Sequence, residues 1–113
     1  MSSISTHILD ISKGRPAGGV QVTLERREKE GWREITRQIT NEDGRVRQLL
    51  PPQEALLTGQ YRLTFHTQAY FDAYGVQGLY PVVQVTITVT DTAGHYHIPL
   101  LLTANGYSTY RGS

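Results

Sequence analysis

Val83-Gln84-Val85-Thr86-Ile87-Thr88-Val89 alternates apolar and polar residues without interruption. That period of two marks a strand with one face against a core and the other against solvent. The pattern recurs in Val20-Gln21-Val22-Thr23-Leu24 and in Tyr61-Arg62-Leu63-Thr64-Phe65. Shorter stretches at 5–9, 33–39, 45–49, 95–102 and 108–111 read as further strands, with turn residues between them at Lys13-Gly14, Glu42-Asp43-Gly44, Thr58-Gly59 and Asn105-Gly106. One segment departs from the period. Thr67 is suited to cap a helix of about two turns in which Phe71 and Tyr74 share a face beside Tyr70, and Gly75 is suited to stop it. About eight strands with Gly- and Pro-bearing turns and a single short helix predict an all-β chain folded as an antiparallel β-sandwich.

A length of 113 residues suits a single domain, 1–113, with room for one core. Eleven Lys and Arg against ten Asp and Glu leave a formal charge of +1. So balanced a surface has no field to recruit nucleic acid or an anionic membrane, and neither is expected as a partner. The densest charge run, 25–34, mixes both signs and reads as a solvated hairpin tip. Cysteine is absent, which excludes disulfides, thiolate catalysis and cysteine zinc sites. No stretch approaches the roughly 20 apolar residues of a membrane helix, and Met1-Ser2-Ser3-Ile4-Ser5-Thr6 has neither a basic start nor an apolar core. A cytoplasmic protein is the expectation.

Residues able to do chemistry collect in a few places. His95 and His97 stand two apart in a predicted strand, so that if Tyr96 and Ile98 point into the core both imidazoles point out of it. Such a pair suits an ordinary surface, a metal site or acid–base catalysis. Zinc would take His7 as a third ligand, but no carboxylate stands in a recognisable motif, and no metal is expected. His7, between Thr6 and Ile8, faces opposite to Ile8 by alternation. Arg45 follows the Asp43-Gly44 turn, and Asp10 is either a partner for a histidine or the polar start of a turn over 10–16, the reading favoured here. The chain ends Tyr107-Ser-Thr-Tyr-Arg-Gly-Ser113, directly after the apolar run 98–102. A guanidinium fork, aromatic faces with hydroxyls and a fixed carboxylate together suit part of a pocket for a small, flat, polar molecule.

Four stretches stand in one order and spacing: Ser5-Thr-His-Ile-Leu-Asp10, Asn41-Glu-Asp-Gly-Arg45, His95-Tyr-His-Ile-Pro-Leu-Leu-Leu102 and Tyr110-Arg-Gly-Ser113. In this the chain resembles, from residue 4 to residue 113, the transthyretin-related 5-hydroxyisourate hydrolases of urate breakdown. The resemblance implies a transthyretin-like sandwich of two four-stranded sheets and a cofactor-free hydrolysis of 5-hydroxyisourate to a ureido-imidazoline intermediate on the way to allantoin. It implies that His7 and His97 work as a pair on water and that Arg45 holds the ring carbonyl. Tyr110 would touch the substrate, and Arg111 with the Ser113 carboxylate would set the polarity of the cleft. Arg47 matches no family motif and should matter little. The resemblance also implies a homotetramer with its active clefts at the dimer–dimer interface. A transthyretin-type carrier of aromatic ligands would share the fold, but its channel is more apolar and it lacks the Tyr-Arg-Gly-Ser ending.

Overall fold

The computed structural model describes residues 3–113. Its elements are β1 (Ile4–Asp10), β2 (Arg15–Pro16), β3 (Gln21–Glu28), β4 (Gly31–Ile39), β5 (Arg45–Val46), β6 (Gly59–Phe65), α1 (Thr67–Ala73), β7 (Val83–Val89), β8 (Tyr96–Thr103) and β9 (Gly106–Thr109). They form two sheets. One has the order β2-β1-β8-β9, with β5 sharing the β2 edge of β1; the other has the order β4-β3-β6-β7. Every pairing is antiparallel except one: β1 runs parallel to β8, from Ile4 beside Tyr96 to Asp10 beside Leu102.

The core lies between the sheets and is built from the alternation in the sequence. Val22 and Leu24 of β3, Tyr61, Leu63 and Phe65 of β6 and Val83 and Val89 of β7 are buried from one side, and Ile4, Ile8, Tyr96, Ile98, Leu100 and Leu102 from the other. Each fully buried aliphatic or aromatic side chain contributes about 1.5–3 kcal/mol relative to exposure, which fixes the register because a one-residue slip would turn the whole set outward. Among the described residues Arg26 Nε is buried without a hydrogen-bond partner, whereas polar groups of the core are paired. The Tyr61 hydroxyl accepts from the Leu57 amide at 3.1 Å, and Thr6 Oγ1 donates to the Ile98 carbonyl at 2.6 Å. Asp10 is fully buried and accepts from the Tyr70 hydroxyl at 2.6 Å, the Ser12 hydroxyl at 2.7 Å and the Lys13 amide at 3.1 Å. Burial works to raise its pKa, but these donors outweigh it and hold the carboxyl below its ordinary value. Asp10 thus anchors the 10–16 turn, as favoured from the sequence.

Several local expectations shift. The charge run 25–34 is mostly strand, with the tip reduced to Lys29 and Glu30; its charges pair across β3, β4 and β6, as Arg62 does with Glu25 at 2.7 Å and Arg33 with Glu28 at 2.7 Å. Thr67 is the first helical residue and not the cap: its hydroxyl donates to the Tyr80 carbonyl at 2.6 Å, and His66 occupies the cap position without a side-chain bond. The buried face of α1 is Thr67, Tyr70 and Phe71, whereas Tyr74 is exposed with the Lys13 ammonium over its ring. Gly75 does stop the helix, at φ +66. β5 closes after Val46, His95 precedes β8, and β9 begins two residues earlier than predicted.

Candidate active site

Because β1 and β8 are parallel and in register, their outward-facing residues lie side by side: Ser5 beside His97 and His7 beside Pro99. Tyr96 and Ile98 are buried, so the outward course of His97 follows from the pleat. His7 is also opposite Arg45 across the antiparallel β1–β5 pair. The local sequence dictates that placement. Asn41 Oδ1 accepts from the Asp43 amide at 2.9 Å and the Arg45 amide at 3.0 Å, closing a tight turn, and the Gly44 carbonyl accepts from the Ile8 amide at 2.7 Å. Gly44 has φ +73, and a β-carbon there would lie 2.4 Å from the Ile8 carbonyl oxygen. Any other residue would push the turn off β1 and carry Arg45 away from His7.

Ser5, Thr6, Arg45, Arg47, His95, His97 and Ser113 line a polar hollow of about 220 Å³ on the outer face of this sheet. Ser5 Oγ lies 2.8 Å from His97 Nδ1 and 3.3 Å from His95 Nε2, and the two imidazole rings are nearly parallel with centroids 6.5 Å apart. Burial, followed by the Arg45 guanidinium, holds the pKa of both His7 and His97 below the ordinary histidine value. The two imidazoles also repel each other's charge, while the Asp43 backbone carbonyl and carboxylate oppose the shift at His7. Near neutral pH both rings are therefore uncharged and each has a lone pair available. No three His, Asp or Glu side chains among the described residues converge as metal ligands do, so His7 does not complete a triad with His95 and His97.

The C-terminal segment reaches the hollow through one glycine. After β9, an isolated bridge pairs Gly112 with His97, and the Gly112 amide donates to the His97 carbonyl at 2.8 Å. A β-carbon on Gly112 would lie 2.5 Å from His97 Cδ2 and 3.2 Å from Pro99 Cγ. Backbone conformation does not demand glycine here, since Gly112 has no positive φ; the imidazole lying against it does. Ser113 is thereby delivered to the hollow. Tyr110 and Arg111 are not brought there within one chain. They border a second, less polar hollow of about 350 Å³ with Val85, Ile87, Tyr96 and Ile98, between the edges of the two sheets. Arg111 stacks over the Tyr96 ring at 4.4 Å and donates to the His95 carbonyl at 3.2 Å, and Tyr110 is 55% exposed. Arg47, read from the sequence as a bystander, lines the same hollow as Arg45. Sequence reasoning missed Ser5 and Gly112. Ser5 was signalled by its spacing of two from His7, which puts it on the same face.

A sheet-on-sheet sandwich with one parallel pair, carrying imidazoles and guanidinium groups on an outer face, defines a transthyretin-like protein with a polar site of its own. The family model of the HIUase/Transthyretin family matches residues 4–112, and the chain belongs to that family. It is 45% identical over 112 residues to a probable 5-hydroxyisourate hydrolase of Caenorhabditis elegans, spanning 99% of this chain and 82% of the relative. The solved 5-hydroxyisourate hydrolase of Klebsiella pneumoniae superposes with a TM-score of 0.85 at 38% identity, covering 100% of this chain and 94% of that one. Sea bream transthyretin in complex with thyroxine superposes with a TM-score of 0.90 at 29% identity, covering 97% of this chain and 94% of that one.

Proposed function

We propose that this chain is an enzyme that hydrolyses 5-hydroxyisourate with water and no cofactor, yielding the ureido-imidazoline intermediate of urate degradation. The observation that carries the reading is the shared polar hollow of His97, Arg45 and Ser113 in a chain whose relatives are named for this reaction. Water adds its oxygen to a ring carbonyl carbon, the carbonyl oxygen takes up negative charge, and the carbon–nitrogen bond then breaks as the nitrogen gains a proton. His97 and His7, both uncharged near neutral pH, divide the removal of the water proton and its return to nitrogen, a contribution of about 10²–10⁴-fold for a positioned acid–base group. Arg45 meets the developing oxyanion with its planar fork, and Arg47 adds a second guanidinium on the same side.

Tyr110 packs on the ring, and Arg111 fixes the backbone of His95. In this reading residues 1–113 act as one domain within a homotetramer whose clefts lie at the dimer–dimer interface. The support is physical: the hollow is open on a sheet face, and Tyr110 is exposed and turned from its own chain's hollow, free to enter a partner's. No helix among the described residues is long and apolar enough to cross a membrane. A carrier of aromatic ligands needs an apolar lining, and this hollow is lined by two guanidinium groups and two imidazoles among hydroxyls.

The test is to mix freshly generated 5-hydroxyisourate with the protein and follow its near-ultraviolet absorbance against spontaneous decay. Decay that accelerates in proportion to protein concentration, over many turnovers, is the expected result. A rate equal to the spontaneous one, with stoichiometric binding of an aromatic ligand instead, would replace the hydrolase with a carrier.

A further inference from the structure

One hydroxyl stands between two imidazoles in this site. Ser5 Oγ is 2.8 Å from His97 Nδ1 and 3.3 Å from His95 Nε2, and Ser5 is only 6% exposed, so water does not readily replace either contact. A serine hydroxyl has a single hydrogen to donate. Only one of the two rings can therefore receive a hydrogen from Ser5. Either His97 Nδ1–H donates to Ser5, which donates on to His95 Nε2 or accepts from it as well, or Ser5 donates to His97 Nδ1. The first arrangement leaves His97 Nε2 as a bare lone pair. The second puts a hydrogen on Nε2 and disables it as a base.

We infer that Ser5 and His95 are positioning residues that hold His97 as its Nδ1–H tautomer, with Nε2 kept free to take a proton from the attacking water. Two features of the geometry favour that direction. The ring is held along both edges, by Ser5 at Nδ1 and by Gly112 against Cγ and Cδ2, so the end carrying Nε2 is the part left to face the hollow. Arg45 and Arg47 line that same hollow, and positive charge favours a lone pair facing it over an N–H dipole. His7 and the Ser113 terminus are the other titratable groups close by, and neither stands between Ser5 and the two rings. The role of Nε2 rests on the hydrolase reading above, but the tautomer itself does not.

The experiment uses the full chain labelled with ¹⁵N. Long-range ¹⁵N–¹H spectra of the histidine rings are recorded well above the ordinary histidine range, with His97 assigned by its absence in His97→Gln. The wild-type ring should show hydrogen on Nδ1 and none on Nε2. In Ser5→Ala the hydrogen should move to Nε2, with kcat falling toward the roughly 10²-fold or more that a positioned base contributes, and KM little changed. His95→Phe removes the acceptor but keeps Ser5, whose hydroxyl then turns to donate to His97 Nδ1. It should give the same tautomer change, and because His95 is exposed it keeps the test alive if Ser5→Ala fails to fold. Hydrogen on Nε2 in the wild type would overturn the inference, as would an unchanged tautomer and kcat in both variants. A wild-type chain with the inferred tautomer but no turnover would uphold the inference and remove the hydrolase reading.

Discussion

Gly112→Ala tests whether the chain end is part of the site, and its outcome can be worked from distances. The added carbon would lie 2.5 Å from His97 Cδ2, where carbon atoms settle at about 3.5–4.0 Å, so roughly 1 Å must be found somewhere. If the imidazole turns, it leaves its rotamer at a cost of about 0.5–1.5 kcal/mol and strains its bond to Ser5, worth about 1 kcal/mol more. If the segment carrying Gly112 lifts, one backbone bond from Gly112 to the His97 carbonyl is lost, again about 1 kcal/mol. Lifting is the cheaper route. The expected variant therefore melts within a few degrees of the wild type, releases its terminal serine to carboxypeptidase faster, and loses about 10²-fold in turnover as the carboxylate leaves the hollow and the cleft loses its positioning. Turnover, melting and carboxypeptidase release should be measured on one preparation. Wild-type values for all three would refute the claim that Gly112 seats the terminus against His97.

His7→Ala and His97→Ala should each lower kcat by about 10²-fold or more with the fold intact, whereas His66→Ala should be mild, because His66 bonds Thr23 on the other sheet; circular dichroism beside turnover checks both. Arg45→Lys should be damaging, since an ammonium keeps the charge and loses the fork; Arg37→Lys, an exposed residue paired with Glu34, is the control, and equal losses would remove the case for Arg45. Both site histidines have lowered pKa values, so kcat/KM should hold as pH falls to the ordinary histidine value and drop only below it, in a pH–rate profile. Stability should move in the same sense: between the lowered folded values and the unfolded value near 6.5 the unfolded chain binds more protons, so stability declines as pH falls through that window and then levels off.

Much of this was legible in the sequence because the period of two is an energetic signal. Val83 to Val89, Val22 with Leu24, and Tyr61 to Phe65 face the core as the alternation required, and the outward course of His97 followed from Tyr96 and Ile98. What the sequence hid were features made by contacts distant along the chain. Thr67 is a good capping residue by type, but its hydroxyl is claimed by Tyr80, thirteen residues on. Arg47 matched no motif, yet β5 ends at Val46 and the chain beyond it leaves the guanidinium beside Arg45. Tyr110 and Arg111 look like pocket residues by chemistry, and only the β8–β9 register reveals that they flank a different hollow from Ser113. The parallel pairing of β1 with β8 had no local signature at all.

That parallel pair sets the order in which the molecule can be made. Among the described strands β1 leaves the ribosome first and β8 last but one, and the Ser5–His97 contact closes a span of 92 residues. The sheet of β3, β4, β6 and β7 draws only on residues 21–89 and can assemble from neighbouring hairpins, but β1 must wait with its β8 edge bare and Ile4 and Ile8 uncovered. Contacts of such long range slow folding, because the loop they close must be ordered before they repay it. His7 and Arg45 come from the early part of the chain, and His97 and Ser113 from its end. Turnover should therefore return last in refolding, after the strand signal of the first sheet, and a chain stalled past residue 89 should expose one half of its sandwich to chaperones with no catalytic centre yet in existence.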